Sequence, residues 1–414
     1  MNLLITNIGQ LITVASNGAA VKTGADMQDI GVIENATVRI IDGNIERIGP
    51  SGVLSRETGD TIDTLDADGR IAVPGFVDAH THACFVDGRH HEFALRSRGA
   101  SDQEIDDQEG GILSTVKSVR STTRKDLKRA TDRHLDAMLR HGTTTVEIKT
   151  GYGLNMESEI TMLEAIQDVQ KEHYVDVVPT FLPAHAVPPE YREDRAGYIR
   201  SITEKMIPYV GKRKLARYCD VVCERGFFSV EETREILTVA KNHGMQMKIH
   251  AEKLTNTGGT ELGVELNAVS VDHLEHVSER GIKALQSSRT IAVLLPGVSF
   301  FLNRSYAPAR ALIDAGIPVA LASDFNPDSC MSFSMPLMMT IACTHMRMTP
   351  EEAITASTLN AAAAIGVSDR LGSIEVGKKA DIIILDIPHY LYISYFFGVN
   401  HVWRVIKNGT ILEF

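Results

Sequence analysis

The chain lacks any apolar run approaching the roughly 18 residues that a bilayer crossing requires. It also lacks a basic leading segment. MNLLITNIGQLITVA is apolar from the start and alternates like a strand rather than a secretory signal, so a cytoplasmic protein is expected. Positive charge is not in excess: 42 Lys and Arg face 53 Asp and Glu, a formal net charge of −11. That argues against nucleic acid as the main partner, because phosphate binding needs concentrated basic surface. It leaves small substrates open, since a local basic site can sit on an acidic protein. No disulfide framework is present. The five cysteines, Cys84, Cys219, Cys223, Cys330 and Cys343, are odd in number and irregularly spaced, which suggests reduced thiols. Cys219 and Cys223 fall in an apolar run and read as core residues rather than ligands. There is no internal repeat and no low-complexity stretch.

What is present is an ordinary globular balance, 43% hydrophobic and 23% charged, over 414 residues. That length suits a (β/α)8 barrel with an accessory domain. The N-terminal part reads as β structure: ATVRIIDGNIERIG alternates on both sides of an Asp-Gly-Asn turn, as a hairpin does. A second β-rich block closes the chain, GSIEVGKKADIIILD and then HVWRVIKNGTILEF. Between them lie eight short apolar runs: GFVDAHTH, TTTVEIKTG, VVPTFLPAH, YCDVVCE, MQMKIHAE, AVSVDHLEH, TIAVLLPG and PVALASDFN. Helical patterns separate them. Ser229-Val230-Glu231-Glu232 has a capping-box pattern, and Thr349-Pro350-Glu351-Glu352 has one with proline at the first helical position. The expected fold is α/β, a TIM-like (β/α)8 barrel over residues 73–367, with a small β-sandwich domain built from residues 1–72 and 368–414.

The chemistry lies where those runs end. Run one ends in His80 and His82, run five near His250 and Glu252, run six at His273 and run eight at Asp324. In such a barrel all strand C-termini face one mouth, which is where active sites form. Residues two apart on a strand point the same way, so His80 and His82 can grip one ion. His250 would add a third nitrogen and Asp324 an oxygen, leaving a position open for water. One divalent ion held in this way would lower the pKa of water and polarise a carbonyl. Asp324 could take the water's proton; its other reading is a helix N-cap, since Asn326 and Pro327 follow. His273 is the candidate for orienting the nucleophile and polarising the substrate, with His276 as its alternative. His243, His173, His134 and His141 lie in helical or loop contexts and read as surface residues.

VPGFVDAHTH, the aspartate of LASDFN and GSIEVGKKADIIILD resemble the amidohydrolase superfamily along the whole chain. Within it, Arg89, the segments Gly110–Val116, Val146–Leu154, Phe181–Tyr191, Val271–His276 and Ser323–Pro327 resemble the imidazolonepropionase family. That resemblance implies hydrolysis of 4-imidazolone-5-propanoate to N-formimidoyl-L-glutamate with zinc or iron; imidazole and carboxylate ligands suit both metals. It implies substrate contacts from Arg89, Tyr152, His185, Asn326 and Ser329. The chemistry of those residues agrees. Arg89 offers a fork for a carboxylate, unless it is a surface arginine like Arg96 and Arg98. Tyr152 sits on a bend between two glycines, unless it is a packing aromatic. His185 could donate to a ring carbonyl, unless it is a satisfied core histidine. Two-metal relatives carry a lysine or acid at the end of strand four. Here run four ends in Cys223-Glu224, so a single ion is expected, with Glu224 leaving a second site open.

The chain departs from the family at four places. Lys253 stands where Glu or Gln is usual, Asp328 where Gly is usual, and Asp102 and Glu109 replace a tyrosine and a glycine of the Gly-rich segment. Lys253 and Asp328 are expected at the pocket and, being opposite unexpected charges, to pair. Glu252 is a catalytic candidate, although its spacing from His250 is not that of barrel deaminases. The competing readings are a hydrolase of another carboxylated ring, a heterocycle deaminase and a non-enzymatic binding barrel. The expected partner is a small carboxylated heterocycle, and a homodimer is the default assembly.

Overall fold

The computed structural model describes residues 2–52, 54, 62–101, 104–105 and 110–413; Asp102 and Glu109 lie outside the described residues. The N-terminal strands are β1 (Leu3–Ile12), β2 (Val32–Ile41), β3 (Asn44–Pro50), β4 (Asp63–Asp66) and β5 (Ile71–Pro74). Eight strands then alternate with helices: β6 (Phe76–Asp78), β7 (Thr143–Lys149), β8 (Asp176–Ala184), β9 (Tyr218–Cys223), β10 (Gln246–Ala251), β11 (Ser270–His273), β12 (Ile291–Leu294) and β13 (Val319–Leu321). The chain returns to β structure in β14 (Ile382–Leu385), β15 (Val402–Lys407) and β16 (Thr410–Leu412).

β1–β5 and β14–β16 form one sheet, with β14 pairing antiparallel to β5. The hairpin predicted from its Asp-Gly turn joins β2 and β3, with Asp42 at φ +50° and Gly43 at φ +76°. Gly43 is required there twice over, because a Cβ would lie 2.7 Å from the Asn408 carbonyl oxygen. The two ends of the sheet meet again: Ile45 N–H donates to Lys378 C=O at 2.8 Å, and Ala380 N–H to Gly43 C=O at 2.9 Å. The sheet therefore wraps one apolar core shared by Val38, Ile40, Ile382, Ile384 and Ile406.

β6 to β13 form a second sheet, ordered as in the sequence and parallel at every pairing. Each of the eight apolar runs contributes one strand. The barrel closes just past the strand ends through a Thr81–Phe325 bridge, where Asp324 N–H donates to His80 C=O and His82 N–H to Phe325 C=O, both at 3.0 Å. The seam of the barrel is thus also the place where the ligand-type residues of the first and last strands meet. Helices cover the outside, and both expected capping boxes form, at Ser229–Glu232 and Thr349–Glu352. Among the described residues no helix is long and apolar enough to cross a membrane. All five cysteines are unpaired thiols, with Cys219 and Cys223 in the core.

Candidate active site

Strand alternation selects what enters the barrel. Asp78, His80 and His82 follow one another at every second position, as do Lys248 and His250, and Ser270 and Asp272. At the mouth, His80, His82 and His250 each present an atom within 4.8 Å of the others, and so do His80, His273 and Asp324. Asp324 Oδ1 lies 3.5 Å from both His80 Nε2 and His82 Nε2. His80 Nε2, His273 Nε2 and Asp324 Oδ1 are buried without a hydrogen-bond partner. Orphaned lone pairs converging in this way are costly unless a cation satisfies them, so the donor set fits one divalent ion.

The far sides of two of these imidazoles face carboxylates. His80 Nδ1–H donates to Asp272 Oδ2 at 2.6 Å, and His250 Nδ1 lies 3.0 Å from Asp220 Oδ2. The His80 bond puts its proton on Nδ1 and leaves Nε2 as a lone pair facing the site, whereas His250 Nδ1 approaches its carboxylate without hydrogen-bond geometry. Burial holds His80, His82 and His250 neutral, with pKa values well below the ordinary histidine range. Burial lifts the Asp324 carboxyl above its usual range, against the opposing charge of Lys253, which makes it a better base. The backbone is strained where it turns out of the strands: φ is +61° at Glu252, +87° at His273 and +50° at Asp324.

Beneath the mouth lies a layer that sequence reasoning missed. Lys149 Nζ contacts Asp220 Oδ2 at 2.7 Å, Glu147 Oε2 at 3.1 Å and Asp272 Oδ2 at 3.4 Å. Lys248 Nζ donates to Glu147 Oε2 at 3.0 Å. All five side chains are fully buried. Burial alone would lower the Lys149 pKa, but Asp220, Glu147 and Asp272 outweigh it and raise it, so the ammonium stays charged. Lys149 therefore tethers both carboxylates that orient His80 and His250. The available signal was a charged residue inside an apolar run: Glu147, Lys149, Asp220, Lys248 and Asp272 all interrupt strands that otherwise read as core.

A cleft of about 340 Å³ opens above the site, lined by His82, Arg89, Tyr152, His185, Lys253 and Asn326 among others. Ser329 and Asp328 reach it from the loop after β13. Tyr152 and His185 are cleft residues and not packing residues alone, each within 5.7 Å of the His82 ring. His185 Nδ1–H donates to Gly151 C=O at 3.0 Å, and burial lowers its pKa to about 4. Its Nε2 is consequently an acceptor. The expectation that His185 donates to a ring carbonyl is corrected: it suits a ring N–H.

Three further readings are corrected, those of Glu252, Asp328 and His134. Glu252 does not face the cleft; its carboxylate accepts from Gly258 N–H at 3.1 Å, Thr260 N–H at 3.3 Å and Thr260 Oγ1 at 2.7 Å, holding the start of the next helix. Asp328 does not pair with Lys253. Two guanidinium groups reach it first, Arg89 and, at 2.9 Å, Arg96. The Asn326 amide is engaged by its own loop, accepting from Asp328 N–H and Ser329 N–H at 2.8 Å. His134 is half-buried, not a freely exposed residue; it packs on Phe85 and Phe325 and donates to Ala83 C=O at 2.8 Å. Of the two candidate histidines, His273 at the end of β11 lines the cleft and His276 is exposed. The Glu224 carboxylate accepts from Arg225 N–H, Leu254 N–H and Thr255 Oγ1, so its oxygens are already occupied.

A family model of the amidohydrolase family matches residues 71–412. The chain belongs to the amidohydrolase family, whose members are metal-dependent hydrolases. It is 48% identical over 413 residues to an imidazolonepropionase of Geobacillus thermodenitrificans, covering 99% of this chain and 97% of that one. It is 45% identical to an imidazolonepropionase of Alkaliphilus oremlandii, covering 100% and 98%. Among solved structures, an adenosine deaminase from Xanthomonas campestris with bound zinc shares the fold at a TM-score of 0.72 and 20% identity, covering 99% of this chain and 92% of that one.

Proposed function

We infer that the chain is a hydrolase that opens the ring of 4-imidazolone-5-propanoate to N-formimidoyl-L-glutamate in histidine degradation. The observation that carries this reading is the convergence of His80, His82, His250, His273 and Asp324 under a cleft lined by Tyr152 and His185. His80, His82, His250 and Asp324 would hold one ion, zinc or iron. Such an ion supplies Lewis acidity, lowering the pKa of water and polarising a carbonyl. The residues do the rest. Asp324 accepts the proton of the attacking water on its carboxylate and returns it to the departing ring nitrogen. Water oxygen adds to the ring carbonyl carbon, the ring C–N bond breaks, and the carbon becomes a carboxylate. His273, lowered to about 3 chiefly by burial, stays neutral and orients by hydrogen bonding. His185 Nε2 accepts a ring N–H, and the Tyr152 hydroxyl, held protonated by burial, donates. Deamination is disfavoured, because Glu252 is turned away from the cleft.

The test is turnover of freshly generated imidazolone propanoate. Loss of its ultraviolet absorbance without ammonia, by protein carrying close to one metal per chain, is expected. Stoichiometric ammonia, or turnover of a hydantoin propanoate alone, overturns the reading.

We place this enzyme in the cytoplasm as a homodimer. The segment after β14 exposes Leu391, Tyr392, Tyr395, Phe396, Phe397 and Val399, and residues 388–400 carry no Asp, Glu, Lys or Arg. An uncharged apolar patch of this kind suits a dry contact with a second copy. Light scattering should give twice the chain mass, falling to one chain mass for Tyr395→Glu/Phe397→Glu. A wild-type monomer at micromolar concentration ends this part of the reading.

A further inference from the structure

We propose that Lys253, and not Arg89, is the cation that holds the substrate's carboxylate, and that Asp328 keeps Arg89 out of that role. The inference rests on the substrate class proposed above. Its starting point is the charge arrangement along one wall of the cleft. Arg89 is 9% exposed, and its guanidinium is in contact with the Asp328 carboxylate. Arg96 binds the same carboxylate oxygen. Arg304 is partnered as well, and the Glu224 carboxylate is engaged by three donors. Lys253 also lines the cleft, and among the described residues no carboxylate lies within ion-pairing distance of its ammonium.

Lys253 lines the same cleft as His82, His185, His250, His273 and Asp324. Lys253 therefore borders the cavity in which a ring at the reacting centre would sit.

Exchange energetics decide between the two cations. A substrate carboxylate at Arg89 must either displace Asp328 from Nη2 or share the guanidinium with it. Sharing sets two anions on one cation, and displacement only swaps one carboxylate for another. The net gain of such a swap is small. At Lys253 no internal carboxylate has to be displaced, so the charge-assisted contact is a full gain. The two departures from the family pattern, Lys253 and Asp328, are then complementary without touching: one supplies a cation and the other occupies the cation it replaces.

Two readouts test this. The first is steady-state turnover of imidazolone propanoate. The second is calorimetric binding of imidazole-4-propanoate against its methyl ester, which does not depend on turnover. In Lys253→Met, KM should rise about 10- to 100-fold with a much smaller change in kcat, and the preference for acid over ester should vanish. Asp328→Gly should lower KM several-fold. In the Lys253→Met background, Asp328→Gly should restore most of the lost binding, because Arg89 is released. The proposal is overturned if Lys253→Met leaves KM and acid preference intact while Arg89→Met or Arg89→Lys abolishes them. It is also overturned if Lys253→Met lowers kcat at constant KM, which would place the ammonium on the reacting bond. Wild-type protein that fails to open the ring, yet prefers acid to ester through Lys253, overturns the functional reading and supports this one.

Discussion

Asp324→Asn is expected to lower kcat by about 10³-fold or more while leaving the protein folded. Three features make this a clean substitution. Asparagine keeps the size of the side chain. It tolerates the left-handed backbone at this position, where φ is +50°. It also preserves the Asp324 N–H bond to His80 C=O that helps close the barrel. What disappears is the negative charge between His80 Nε2 and His82 Nε2, together with the buried carboxyl whose raised pKa suits it to take a proton. Metal content, measured by elemental analysis, should fall less than the rate, because three imidazoles remain. Extensive chelation of the wild-type protein should abolish turnover, and zinc or ferrous iron should restore it. A variant within tenfold of wild type would remove Asp324 from the chemistry.

Lys149→Met is expected to damage stability and metal affinity together, although Lys149 is not among the residues lining the cleft. The lysine sits among Glu147, Asp220 and Asp272, all fully buried. Removing it leaves three carboxylates with Lys248 as their neighbouring cation. Breaking a buried ionic cluster from one side costs about 3–5 kcal/mol, because the remaining charges stay desolvated. The loss should appear as a lower denaturation midpoint. Asp220 and Asp272 also orient His250 and His80, and loss of such outer contacts weakens metal binding by about 10- to 100-fold. A metal titration monitored by calorimetry separates this effect from unfolding. An unchanged midpoint with unchanged metal affinity would mean that the network neither stabilises the barrel nor positions the ligands.

The corrections share one cause, visible at particular residues. His80, His82 and Asp324 could be placed on strand ends from local pattern alone, because alternation and the barrel's polarity leave one mouth for them. Glu252 looked equally well placed, yet Gly258 and Thr260 fold back and take its carboxylate. Asp328 was expected to find Lys253, but Arg89 and Arg96 arrive from a segment about 230 residues away in sequence. The donor role expected of His185 was reversed by one carbonyl, that of Gly151, which determines which ring nitrogen carries the proton.

The amino-acid sequence by itself determined the class of fold, the eight strand positions and two capping boxes, and it offered the candidate ligands, since each follows from periodicity or chemistry within a few residues. Only the tertiary structure decided which charges are neighbours. A hydrogen bond or ion pair depends on distances of a few ångströms between segments hundreds of residues apart, and that separation is set by packing, not by local pattern.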